Sequence, residues 1–254
     1  MKRNLYRVLF LACVLGLWEL AASTVISPFW ISKPTLIIQR LFELLLSGQL
    51  IWHSSITITE AFIGLTLGMV VGVPIGLALG LRRAFAEIVD PFIAGLYSLP
   101  RVALAPLFII WFGIGLLSKV MLAFSLVVFI FILNIQDGLR NGDRELSDLM
   151  KTMRAPRAYV IRKVLLPSVV PWIFASLRIG LGLALIGAVI SEVIGASRGL
   201  GWYIEYSSGQ FDTTGAFAGL VVLMIIAMLG NELVKLVENR VLHWRDAENH
   251  GLAG

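Results

Sequence analysis

Long apolar stretches separated by short polar connections dominate this chain. Nearly uninterrupted apolar runs cover residues 8–26, 55–81, 91–112, 119–135, 167–194 and 215–236. Each comes close to the roughly 20 residues that an α-helix needs to cross the ~30 Å hydrocarbon core of a bilayer. The pattern predicts an all-α integral membrane domain of about six transmembrane helices that occupies residues 1–254, with its core at about 55–241. Lys2, Arg3 and Arg7 precede the first run, and Ala21, Ala22 and Ser23 would suit a signal cleavage site. The run outlasts an ordinary signal segment, and Phe10-Leu11-Ala12 is a poor lipobox for Cys13, so an uncleaved first span is expected.

Finer patterning adds detail. Leu36, Ile37, Leu41, Leu44 and Leu45 give the stretch Pro34–Leu46 helical periodicity and predict a helix along the outer membrane face, with Trp30 and Trp52 at the interface. Gly64, Gly68, Gly72, Gly76 and Gly80 recur every fourth residue, which makes one side of the second span a groove for close approach of another helix. Pro100 and Pro106 interrupt the third run. Broken helices are tolerated at depth where they line a cavity or are covered by protein, so this span is the preferred cavity-lining segment. Residues 195–214 read as an outer loop.

The longest polar interruption, GLRNGDRELSDLMKTMRAPRAYVIRKVLLPSVVP, runs over residues 138–171. Arg140, Arg144, Lys151, Arg154, Arg157, Arg162 and Lys163 outnumber Asp143, Glu145 and Asp148, which places the loop in the cytoplasm. Leu146, Leu149, Met150 and Met153 fall at i, i+3, i+4 and i+7, one face of a short helix. Asn141 or Asp143 caps its start, and Pro156 ends it by disfavouring the α conformation at Ala155. A second short helix comes next over about 157–166, into Pro167. Periodicity leaves two uses for the apolar ridge open: docking to a soluble partner, or lying among lipid headgroups.

This segment resembles the cytoplasmic Glu-Ala-Ala loop of permease subunits of ABC-type importers. The family pattern is Glu-Ala-Ala, three residues, Gly, about nine residues, then an apolar residue, any residue and Leu-Pro. Asp148-Leu149-Met150 stands in place of Glu-Ala-Ala, Arg154 in place of the glycine, and Val164-Leu165-Leu166-Pro167 matches the end. SPFWISKPTLI, SLPRVALAPLFIIWFGIGLLSKV, LRIGLGLALIGAVISE and GASRGLGWYI look like the nitrate/taurine/aliphatic-sulfonate branch. The resemblance covers about residues 18–244. It implies a coupling loop at about 138–166, with Asp143, Leu146, Asp148, Leu149, Met150, Met153, Arg154 and Ala155 engaging the ATPase. It also implies two cytoplasmic ATPase subunits that bind ATP and magnesium, a periplasmic substrate-binding protein, and a second permease copy in a homodimer. No cofactor is expected on this chain, and the cargo implied is a small anion such as a sulfonate, taurine or nitrate.

Charge distribution sharpens the topology. Most of the 21 basic residues fall in the N-terminus, at Arg82 and Arg83, in the central loop and in the tail. Only Lys33, Arg40, Lys119 and Arg198 fall on the other side, so both ends are expected in the cytoplasm of a bacterial inner-membrane protein. A mean hydropathy of +0.87 fits membrane lipid as the surroundings, and the net charge of +5 needs no nucleic acid. One cysteine and the scattered His53, His243 and His250 make no metal set. Ser207-Ser208-Gly209-Gln210 resembles an ATPase signature, but no G-x-x-x-x-G-K-[ST] loop exists to accompany it. No nucleophile–histidine–carboxylate set stands out, so the chain is not read as an enzyme.

Arg101, Arg178 and Glu192 fall inside spans, at about 2.5–3.5 kcal/mol each for a charge at a helix centre, and must face protein or water. With Pro100 they are the candidates for lining a translocation path. The alternative is an interhelical pair of Glu192 with either arginine. A stand-alone secondary carrier or channel for small anions would also use such charges and broken helices. No pair of inverted similar halves is visible, and such a carrier needs no docking helix.

Overall fold

The computed structural model describes residues 2–140, 149–150 and 152–243, with the side chains of 2–4 excepted. In chain order its helices are α1 (Lys2–Thr24), α2 (Pro34–Leu46), α3 (Gln49–Leu81), α4 (Arg83–Ser98), α5 (Ala105–Phe112), α6 (Leu116–Arg140), α7 (Arg157–Val160), α8 (Leu166–Gly195), α9 (Leu200–Gly209) and α10 (Thr213–Val241). Among the described residues, five helical segments are long and apolar enough to cross a membrane. A sixth span results if α4 and the segment Arg101–Phe112, bent by 75°, count as one. The chain forms two compact units, Met1–Ile58 with Val189–Ile226, and Thr59–Ala188 with Ala227–Gly254.

In the first unit, Ile37 and Leu44 of α2 pack with Tyr203 of α9 and Ala218 of α10, bordered by Trp18, Leu41 and Phe217. α2 lacks a cap from its own Lys33. Glu19 of α1 supplies one, its carboxylate accepting from the Thr35 N–H at 3.1 Å and the Thr35 hydroxyl at 2.9 Å. Residues 195–214, expected as a loop, contain α9. Leu200, Tyr203 and Ser207 form its buried side at helical spacing, and glycines and serines hid that short period in the sequence.

In the second unit, the glycine stripe of α3 lies against α6. A Cβ added at Gly64, Gly68, Gly72, Gly76 or Gly80 would come within 2.5–2.8 Å of the side chain of Ala123, Val127, Phe131, Ile135 or Leu139, respectively. Glu60, four residues before Gly64, continues the stripe, and its Oε1 lies 2.9 Å from the Nζ of Lys119. Every rung joins residues 59 positions apart, so the two helices run parallel in strict register. α4 packs alongside, with Ala86 and Ile93 buried against Leu79, Val128 and Ile132.

The third span breaks where prolines predict. Leu99 is extended, as a residue before proline prefers, and a 3-10 turn at Arg101–Leu104 leads into α5. Its helix starts at Arg83, eight residues before the expected 91, and Pro91 is accommodated inside it. Gly113, at φ 76°, closes α5 in a conformation that suits a residue without Cβ. Pro167 does not end a helix either. A π turn at Ile161–Leu165 carries α7 into α8, and the widened turn lets the chain pass Pro167 without stopping; Pro171 is accommodated inside α8.

Candidate coupling loop and membrane-embedded polar residues

Asp143, Leu146 and Asp148 lie outside the described residues, as do the expected caps at 141 and 143. Beyond them the chain is helical at 149–150 and 152. Leu149 is 53% and Met153 68% exposed, with Met150 half-buried, so the ridge presents large apolar side chains to its surroundings. The helix ends at Arg154, whose φ is 57°. The Met153 N–H donates to the Leu149 carbonyl and the Ala155 N–H to the Met150 carbonyl, both at 3.0 Å. This is a Schellman-type stop with arginine in the left-handed position that glycine usually fills. The stop is therefore made at Arg154, ahead of the expected Pro156.

Both roots of the loop are packed. At the end of α6, Ile135 and Leu139 are buried with Val169 of α8, bordered by Leu165 and Trp172. Gly138 takes the Trp172 indole where a Cβ would stand. Asp90 of α4 accepts from Gln136 Nε2 at 2.8 Å through one oxygen and pairs with Arg140 Nη2 at 2.9 Å through the other. Val160 and Val164 turn inward beyond the loop, while Tyr159 is exposed.

The other polar candidates separate by surroundings. Pro100 sits at the break. Arg101 is next, and its guanidinium donates to the carbonyls of Ser125 at 2.9 Å, Leu126 at 3.3 Å and Tyr97 at 2.6 Å. Its Cζ lies 4.8 Å from the ring centre of Tyr97 and 5.0 Å from that of Phe129. Among the described residues no carboxylate pairs with it. Arg178 pairs with Glu238 of α10, a different partner from the Glu192 suggested by the sequence.

Glu192 is fully buried. It accepts from the Thr57 hydroxyl at 2.7 Å and the Gly201 N–H at 2.6 Å. Thr57 in turn accepts from the Leu200 N–H at 2.8 Å, and His53 Nδ1 from the Gly199 N–H at 3.1 Å. These acceptors satisfy the orphan N–H groups at the start of α9. Gly199, at φ 107°, leaves room for the carboxylate, which a Cβ there would strike.

Sequence reasoning missed Glu19, Glu60 and Asp90. Lys119, counted among the outer charges, is 5% exposed and sits in a buried pair with Glu60. The glycine register extended back by four residues would have found Glu60.

Residues 64–243 match the family described as the binding-protein-dependent transport system inner membrane component. The chain belongs to this family. It is 33% identical over 249 residues to the formylaminopyrimidine transport permease ThiX of Halalkalibacterium halodurans, covering 96% of this chain and 99% of that one. It is 37% identical over 216 residues to the riboflavin transport system permease RibX of Chloroflexus aurantiacus, covering 85% and 81%. A putative aliphatic sulfonates transport permease SsuC of Bacillus subtilis is 31% identical over 237 residues, covering 93% and 86%. The fold is shared with a chain of the MetNI methionine ABC transporter at a TM-score of 0.64 and 23% identity, covering 76% of this chain and 97% of that one. As an inner membrane component it is a multi-pass membrane protein and the permease part of an ABC importer. ATP hydrolysis belongs to a separate subunit.

Proposed function

We propose that this permease forms the translocation path for a small anionic solute of the sulfonate or taurine kind. The observation that carries the reading is Arg101, a cation at the break of a span, held by carbonyls and aromatic rings rather than by a carboxylate. Such a site leaves positive charge available to an anion at depth. In the unit that holds Arg101, Pro100 shapes the break and Arg178 ties α8 to α10 through Glu238; in the other unit Glu192 holds the start of α9.

In this reading two ATPase subunits bind ATP and magnesium and each receives one exposed ridge that includes Leu149, Met150 and Met153, with Asp143, Leu146 and Asp148 on the same loop. A periplasmic binding protein delivers the solute, and a second copy of the chain completes the path. Both termini lie on the cytoplasmic side, which the basic central loop supports.

The relatives named for formylaminopyrimidine and riboflavin favour a second reading, a heteroaromatic cargo. ATP-driven uptake in proteoliposomes that hold the permease, its ATPase and its binding protein separates the two. Taurine or an alkanesulfonate should be taken up, and Arg101→Gln should abolish that uptake while Arg101→Lys keeps part of it. Uptake of a pyrimidine that is indifferent to Arg101→Gln would replace the anion reading.

A further inference from the structure

Asp90 holds two residues of a different helix at once. Its carboxylate receives Gln136, which is almost wholly buried, and Arg140, the last residue of α6 before the central loop. Eleven residues further on, just past the end of α4, Arg101 is bound to the carbonyls of Ser125 and Leu126. α4 is therefore fastened to α6 at two points, one at the root of the loop and one at the break of the span. On either side of Asp90, Ala86 and Ile93 are buried against α3 and α6, and α4 ends at Ser98 before the extended Leu99 and Pro100. Arg101 opens the 3-10 turn Arg101–Leu104, so the break at Leu99–Pro100 lies between the two fastenings.

Such an arrangement has a direction. A displacement of the α6 end that carried Asp90 with it would be passed along α4 to the break at Leu99–Pro100 and, with Arg101 held to Ser125 and Leu126, would change the 75° bend there. We propose that Asp90 is the positioning residue that passes motion of the coupling loop to the broken span, and that its paired bonds to Gln136 and Arg140 are the joint. This rests on the reading of residues 138–166 as the ATPase-coupling loop. Asp90 touches neither ATPase nor solute; it acts through Arg140 on one side and α4 on the other. Its charge is needed because only a carboxylate accepts from the amide and the guanidinium together at 2.8 and 2.9 Å.

The test uses the whole complex, purified with its ATPase and reconstituted with its binding protein, and reads solute moved per ATP hydrolysed. Asp90→Asn should leave assembly and ATP hydrolysis in place while uptake per ATP falls roughly tenfold or more, the scale of one lost charge-assisted bond. The charge-swapped Asp90→Arg/Arg140→Asp protein should regain part of it, which would assign the effect to the pair and not to either side chain alone, while unaltered assembly and ATP hydrolysis in Asp90→Asn set it apart from a purely structural loss. If Asp90→Asn fails to fold, Gln136→Ala and Arg140→Gln, which each remove one partner of Asp90, are read the same way, and reduced uptake per ATP in both supports the joint. Unchanged uptake per ATP in the folded variants overturns the proposal while the permease reading stands. A wild-type preparation with no associated ATPase, or with uptake independent of ATP, overturns both.

Discussion

α6 is held on two faces in two different ways. Against α3 the contact is apolar, glycine backbone of α3 facing side chains of α6 in strict register, and ended by the buried pair of Glu60 and Lys119. Against α4 it is partly polar, with Asp90 and Arg140 both about one-third exposed. The first has no half-open state, because any separation opens voids along the whole seam and parts two buried charges. The second can open and re-form near water at little cost. A bundle that must keep its shape and also change it can assign the two demands to different faces of one helix.

The contrast is open to attack at each rung. Lys119→Met should cost ~3–5 kcal/mol of stability, since breaking a buried pair from one side leaves the other charge in place. Thermal unfolding in detergent reads this, and the double variant with Glu60→Leu should recover most of it. Gly72→Ala should come second at about 1–3 kcal/mol by the same measurement, because its Cβ would meet Phe131 and the Val128 carbonyl. If the two faces differ as described, Arg140→Gln should shift unfolding by less than ~1 kcal/mol, the scale of partly exposed pairs, despite its expected effect on uptake. The smallest effect has the opposite sign. Arg154→Gly should stabilise the loop by about 1 kcal/mol, because the left-handed conformation strains an L residue. Slower hydrogen exchange at the Met153 and Ala155 amides would show it.

Spans and their order were legible because each apolar run is long and the punctuation is proline or charge. The helix Pro34–Leu46 was legible to the residue, since Pro34 starts it and its periodicity is clean. The spacing of the glycines was visible too, but the partner helix was not, because packing between distant segments leaves no mark on either alone. α9 was hidden: its start is capped from Glu192, Thr57 and His53, and not by a local serine or aspartate. Asp90 was unreadable for a similar reason. A carboxylate beside a proline near two arginines looks like a loop residue until α4 begins at Arg83 and carries it inward.

The glycine seam also carries a thermal consequence. A side chain pressed into an interface normally surrenders rotamer freedom, and glycine has none to surrender. On the α3 side the close fit is therefore reached without that entropic loss, and its attraction is dispersion between atoms in contact rather than release of ordered water. Water-driven association fades on cooling, whereas this seam has little such component to lose. The α3–α6 pair should stay joined in the cold, when contacts that depend on water have weakened.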